Sequence, residues 1–277
     1  MTTIAQTSKG DIEYRVAGQG QPVLVLNGGH TNCNSPLGHE QFLLTHGYQL
    51  IVPSRPGYGQ TPAATGKSAE EAADALVALL DHLNIAQVVV VGISAGGRTT
   101  LQLAGRHPDR VSKVILQNAI TGEPYPEPYI RLGSYVIFNP WIERWTWAAF
   151  RAFASISPRA ALTSMMGSLT TLKAADVVNA MTEDQRNAAL DFLLSSRSGS
   201  GFLLDINHVA GDLSRITAPT LIIDSQYDGA KSPAHAAYAA RHIPNAELFI
   251  TPAESHLLWF SQHNAAVEAK MEQFLKS

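Results

Sequence analysis

One cysteine, Cys33, stands in 277 residues, so the chain cannot close a disulfide on itself and gives no sign of an oxidising compartment. Long apolar runs are missing as well. The longest, such as residues 88–91, are strand-sized and far short of the ~20 residues that a membrane-crossing helix needs. Residues 1–10 are polar and lack the apolar stretch of a secretory signal, so the expectation is a soluble cytoplasmic protein without a membrane partner. Neither sign of charge dominates: Lys plus Arg number 20 and Asp plus Glu 23, a net charge of -3, which leaves no electrostatic footprint for nucleic acid. No cysteine or histidine cluster has metal-ligand spacing, so neither metal nor cofactor is expected. With 45% hydrophobic and 16% charged residues, there is ample material for one large core serving a small-molecule partner.

Against those absences, the chain is rich in short β-branched runs. Residues 2–7 and 11–17, joined by Ser8-Lys9-Gly10, read as a hairpin. Residues 22–26 and 49–53 read as buried strands that break into the glycine-rich loops Asn27-Gly28-Gly29 and Ser54-Arg55-Pro56-Gly57. Between 68 and 83 the period turns helical, with Ala72, Ala75, Leu76, Leu79, Leu80 and Leu83 on one face and Ser68 with Glu71 as a capping box. A strand at 87–93, a helix to about Gly105 and a strand at 113–118 continue the alternation, which predicts right-handed βαβ units in a mostly parallel sheet. The alternation halts after Ile120 and resumes only at a strand over 220–224, far beyond an ordinary connection of about 4–6 residues. The intervening stretch, with Trp141, Trp145 and Trp147 and several helical patterns, reads as a helical insertion over 122–212 between core segments 1–121 and 213–277. A helix over 233–242, a strand over 247–251 and an amphipathic helix over 265–275 close the chain.

Chemistry concentrates at Gly92-Ile93-Ser94-Ala95-Gly96, a G-x-S-x-G pattern set between the run Val88-Val89-Val90-Val91 and a helix-forming stretch. A strand that turns abruptly into a helix strains the corner residue and demands small flanking residues. Its hydroxyl is then held at a helix N-terminus, where the backbone N–H of Ala95 faces a developing oxyanion. A phosphate-binding turn is the competing interpretation, but no Walker lysine or G-x-G-x-x-G follows. A serine hydroxyl becomes a good nucleophile only when a neutral imidazole takes its proton, and that imidazole needs a carboxylate to fix its tautomer.

This motif, with the order of elements around it, resembles the nucleophile elbow of the α/β-hydrolase superfamily over essentially the whole chain. The resemblance implies an α/β fold with an eight-stranded, mostly parallel sheet flanked by helices, and a helical cap inserted after the sixth strand. It implies the chain order serine, acid, histidine. On that order His256, just past the last strand in Glu254-Ser255-His256-Leu257-Leu258, is the base, although relatives usually carry glycine where Ser255 stands. Leu221-Ile222-Ile223-Asp224-Ser225-Gln226-Tyr227-Asp228 offers two acids. Asp228, in the loop beyond the strand, resembles the family position, whereas Asp224 ends the strand itself. A second oxyanion donor is expected from the loop after the first parallel strand, and the family correspondence gives it to the N–H of Gly29, with His30 beside it as a pocket residue. Relatives usually have His-Gly where Asn27-Gly28 stands, and Ser54 replaces the usual aspartate of the Asp-x-Pro-Gly-x-Gly loop.

The catalytic expectation is therefore Ser94, Asp228 and His256, with Gly29 and Ala95 forming the oxyanion hole. Arg55 is a candidate for a substrate carboxylate, with a structural role as the alternative, and Trp141 is a candidate for an aromatic lid. Serine at position 94 argues against the epoxide hydrolase and haloalkane dehalogenase branches, which use aspartate there. The expected activity is hydrolysis of a small carboxylic ester or lactone through an acyl-enzyme. Cleavage of a carbon–carbon bond in a diketone-type substrate, as in meta-cleavage product hydrolases, would use the same three residues. A ligand-binding member of the fold without turnover is the rival from outside enzymology.

Overall fold

Residues 2–35, 38–122, 125–126 and 128–277 are described by the structure, a computed structural model. Eight strands form one open sheet: β1 (Thr2–Thr7), β2 (Gly10–Ala17), β3 (Gln21–Leu26), β4 (Tyr48–Pro53), β5 (Val88–Ile93), β6 (Val111–Gln117), β7 (Thr220–Ser225) and β8 (Ala246–Thr251). Their spatial order is β1-β2-β4-β3-β5-β6-β7-β8. The pairs β1–β2 and β2–β4 are antiparallel and all later pairs are parallel, as the strand–helix alternation predicts. Every residue of β5 and β7 is buried, which explains why they read as unbroken apolar runs: a central parallel strand is covered on both faces.

The pleat sends alternate residues into two cores. Leu24, Leu26, Val88, Val90, Val114 and Leu116 meet the apolar faces of α2 (Ala69–His82), α3 (Gly97–Arg106) and α10 (Ala234–His242). Val23, Val25, Val89, Val91 and Ile115 meet α1 (Glu40–Thr45) and α11 (Asn264–Lys276) on the other side. Ser68 caps α2 by accepting from the Glu71 N–H at 3.2 Å, while the Glu71 carboxylate turns back to the Lys67 N–H.

Between β6 and β7 the chain runs through α4 (Pro128–Ile137), α5 (Glu143–Ile156), α6 (Pro158–Gly167), α7 (Ala174–Ala180), α8 (Glu183–Ser195) and α9 (Gly201–Asp205). These helices have small cores of their own, one around Ala154, Ala161 and Leu193 and another around Met166, Val178 and Ala189. The second also takes in Leu257 and Phe260 from the loop after β8, so the insertion is packed onto the end of the sheet where β8 finishes. Among the described residues no helix is long and apolar enough to cross a membrane.

Candidate active site

Ser94 sits at the corner between β5 and α3 with a positive φ of 50°, a backbone conformation that L-residues rarely adopt. The tightness of that corner accounts for its glycines. A Cβ on Gly92 would lie 2.3 Å from Thr100 Oγ1, and one on Gly96 would lie 2.3 Å from the Leu26 carbonyl oxygen. The loop after β3 stands directly over the corner, since a Cβ on Gly28 would be 3.1 Å from that of Ser94. Gly29 follows it, within van der Waals reach of Ala95.

His256 lies in the loop after β8 and is nearly buried. Its Nδ1–H donates to Asp228 Oδ2 at 2.8 Å, which leaves Nε2 as the acceptor. Burial pushes the Asp228 carboxyl up, but the charges of His256 and Lys231 and hydrogen bonds from His256 and the Ala230 N–H more than offset it, holding it below the usual aspartate range. Ser94 and His256 line one cavity of about 780 Å³. Among the described residues no hydrogen bond joins them directly.

Several residues that hold this arrangement were not apparent from the sequence. The Lys231 ammonium, with no exposed side-chain surface, lies 2.5 Å from Asp224 Oδ1 and 3.5 Å from Asp228 Oδ2. Asp224 is therefore the lysine's partner rather than a second candidate for the histidine, and burial raises its carboxyl while Lys231 draws it back down. Asn118, at the end of β6 with φ 44°, donates to the His256 carbonyl at 2.7 Å and accepts from the Ser225 N–H at 2.8 Å. The α6–α7 loop adds a clamp from the insertion. The Leu169 carbonyl accepts from the His256 N–H at 2.7 Å and the Gly229 N–H at 3.2 Å, and Thr170 Oγ1 donates to the Glu254 carbonyl. The loops carrying His256 and Asp228 thus share one backbone acceptor, a pairing of segments remote in sequence.

Two expectations are corrected. Arg55 is not a substrate residue: it is buried, forms a bidentate ion pair with Asp205 of α9 and donates to the carbonyls of Asn27 and Gly28, so its donors are spent inside the protein. Trp141 is not a lid over the pocket. It is 84% exposed and lies before α5 begins, so helical spacing to Trp145 does not govern where it points. Trp147, inside α5, lines the cavity instead, with Phe150 beside it. His30 does line the cavity, as expected from its place beside Gly29. The missing aspartate of the loop after β4 is also accounted for: Ser54 Oγ donates at 2.7 Å to Glu13 of β2, which supplies the carboxylate.

The cavity wall is mainly apolar, with Phe138, Trp147, Phe150, Phe192 and Phe202 prominent. Its lysine, Lys231, is committed to the two aspartates. Among the described residues no group of three or more His, Cys, Asp or Glu is placed to hold a metal ion.

Comparison with known proteins places this geometry in a family. The "Uncharacterized hydrolase YcgS" of Bacillus subtilis is 38% identical over 275 residues, 97% of this chain and 96% of that protein. A 2-hydroxy-6-oxononadienedioate/2-hydroxy-6-oxononatrienedioate hydrolase of Cupriavidus pinatubonensis is 26% identical over 264 residues, 87% of this chain and 84% of that one. Among solved structures, an alpha/beta hydrolase fold protein from Nakamurella multipartita superposes with a TM-score of 0.82 at 26% identity, covering 99% of each chain. The alpha/beta hydrolase fold family itself matches residues 21–261, and the chain belongs to it.

Proposed function

We propose that this hydrolase-family enzyme is a serine hydrolase that cleaves a small, largely apolar carboxylic ester or lactone through an acyl-enzyme. The observation that carries the reading is the 2.8 Å hydrogen bond from His256 Nδ1 to Asp228, which turns Nε2 into a proton acceptor on the wall of the cavity that also holds Ser94. Ser94 Oγ attacks the carbonyl carbon and passes its proton to Nε2, while the N–H groups of Ala95 and Gly29 receive the oxyanion. The imidazolium then gives that proton to the departing alkoxide. Water, deprotonated by the same nitrogen, attacks the acyl-serine and releases the acid. That no direct hydrogen bond joins serine and imidazole is compatible with this sequence, since such hydrogen bonds often tighten only around substrate.

The electrostatics support the base assignment. Asp224, Asp228 and Lys231 sum to one negative charge in a buried cluster, and proton transfer to His256 brings that sum to zero. The chemistry draws on no metal or organic cofactor. Helices α4–α9 serve, on this reading, as a cap over residues 122–212 that shapes specificity, and the free, buried Cys33 fits action in the cytoplasm.

Carbon–carbon hydrolysis of a diketone-type substrate stays as a second reading because the Cupriavidus relative, similar over 87% of the chain, is named for an oxo-dienedioate. The absence of an uncommitted cation on the described cavity wall argues against a doubly charged substrate of that kind. Turnover of p-nitrophenyl esters, lactones and an uncharged vinylogous diketone, with and without Ser94→Ala, tests both. Loss of about 10⁴-fold in kcat on Ser94→Ala is expected. Serine-independent turnover, or tight ligand binding with none, defeats the proposal.

A further inference from the structure

Among the polar groups on the cavity wall that acyl transfer at Ser94 leaves unused, His30 is held in a fixed orientation. His30 follows the oxyanion loop, has a positive φ of 64°, and its carbonyl accepts from the Arg197 N–H at 2.8 Å. Its ring is packed among Phe202, Phe138 and Trp147, with centroids 4.1, 4.6 and 5.3 Å away. Nδ1 lies 2.8 Å from the hydroxyl of Ser198, and Trp147 Nε1–H also meets that hydroxyl at 2.8 Å.

Donor bookkeeping settles which hydrogen goes where. Indole N–H can only donate, so Ser198 Oγ accepts from Trp147. Ser198 is fully buried, and among the described residues the acceptor for its own hydroxyl hydrogen is His30 Nδ1. Placing the proton on Nδ1 instead would strand a buried O–H without an acceptor. The lock is itself anchored: buried Glu143 accepts from the Ser198 N–H at 3.2 Å and pairs with Arg197 at 2.7 Å. The imidazole is therefore the Nε2–H tautomer, and Nε2 has no protein partner among the described residues while its ring lines the cavity.

We infer that His30 Nε2–H is a fixed hydrogen-bond donor for the substrate, and that the substrate is an uncharged molecule with an acceptor oxygen, of the ketone or ether kind, apart from the carbonyl attacked by Ser94. Burial lowers the His30 pKa to about 4, against the upward pull of Asp205 and Glu143 and with Arg55 helping to lower it, so the donor stays neutral near pH 7. A neutral donor fixed in a mainly apolar wall rewards such an oxygen and is left unpaired beside a plain alkyl chain.

The inference rests on the serine reading, and the experiment separates the two. Two substrate pairs differ only by a ketone: p-nitrophenyl pentanoate against its 4-oxo analogue on the acyl side, and pentyl acetate against 4-oxopentyl acetate on the alcohol side. The readout is the ratio of kcat/KM, oxo over alkyl, within each pair. The wild type is expected to prefer the oxo member of one pair by about tenfold. His30→Phe should bring that ratio to about one, and Ser198→Ala, which releases the tautomer, should lower it. His30→Gln, which restores an N–H of similar reach, should keep part of it. A role in packing alone would slow both members together and leave the ratio intact. No oxo preference in either wild-type pair, or one that survives His30→Phe, overturns the inference. Turnover that persists in Ser94→Ala defeats the serine reading instead, whatever the ratio does.

Discussion

Lys231 joins two carboxylates without a trace of solvent on its side chain, and that makes the roles of Asp224 and Asp228 separable by experiment. Asp228→Asn replaces the acceptor-only carboxylate on His256 Nδ1–H by an amide that can also donate and so no longer fixes the tautomer; on the proposed mechanism kcat should fall by about 10⁴-fold, the scale for losing an orienting carboxylate. Asp224→Asn leaves that hydrogen bond but frees the lysine to compete for Asp228 and removes the cluster's net negative charge. Its expected effect is about a tenfold loss in kcat, with about 3 kcal/mol of stability lost from breaking a buried pair. Steady-state kinetics and urea unfolding of both variants check this, and an Asp224→Asn enzyme as slow as Asp228→Asn would reverse the roles. The places of the candidate residues Ser94, Asp228 and His256 at the ends of β5, β7 and β8 were legible because chain order and strand ends fix where each falls. Lys231 and Asn118 were not, because they act through partners brought close only by folding. A lysine three positions past Asp228 was the available signal, since two buried acids need a compensating charge.

At the scale of elements, the insertion and the core are bound by contacts of very different weight. The heaviest is Arg55, after β4, with Asp205 at the end of α9, both almost fully buried and joined by the Tyr58 hydroxyl, which donates to Asp205 at 2.6 Å. Arg55 also holds the Asn27 and Gly28 carbonyls, so the same tie steadies the loop over Ser94. Asp205→Asn leaves a buried guanidinium short of its counter-charge and should cost about 3–5 kcal/mol while lowering kcat through that loop. Ser68→Ala at the start of α2, a solvent-side cap far from the site, should cost about 1 kcal/mol and leave kcat unchanged. Thermal unfolding and kinetics on both variants give the comparison; equal losses would mean that the buried tie contributes no more than a helix cap. The sheet strands could be read within a residue or two because each core strand is apolar on both faces. Helix α1, six residues long and without a side-chain cap, left no such mark. The cavity-lining tryptophan, Trp147, was not told apart from Trp141 in the sequence, because which of them lies inside α5 shows only in the fold.

The whole molecule carries a balanced charge, yet its histidines make it acid-sensitive in a way that net charge does not reveal. Burial lowers His30 and His235 to about 4 from an ordinary 6.5, and His39 and His208 shift in the same direction for the same cause. His235 shows the structural reason: its Nδ1 accepts the N–H groups of Thr121 at 3.3 Å and Gly122 at 2.9 Å, an arrangement that a proton on that nitrogen destroys. As pH falls below about 6.5 the unfolded chain takes up protons at these sites and the native state does not, so the equilibrium moves toward unfolding. Stability from these groups is thus complete above about pH 7 and is lost as pH approaches their folded values. His30 and His235 each contribute up to about 3 kcal/mol to that loss. Urea unfolding at intervals from pH 8 to pH 4.5 should give a level free energy down to about pH 7 and then a steady decline. His235→Asn, which keeps an acceptor for the two N–H groups but cannot titrate, should make the decline shallower by about one proton's worth of slope. A free energy that stays level from pH 7 to pH 4.5 would show that these imidazoles take up protons as readily in the folded protein as in the unfolded chain.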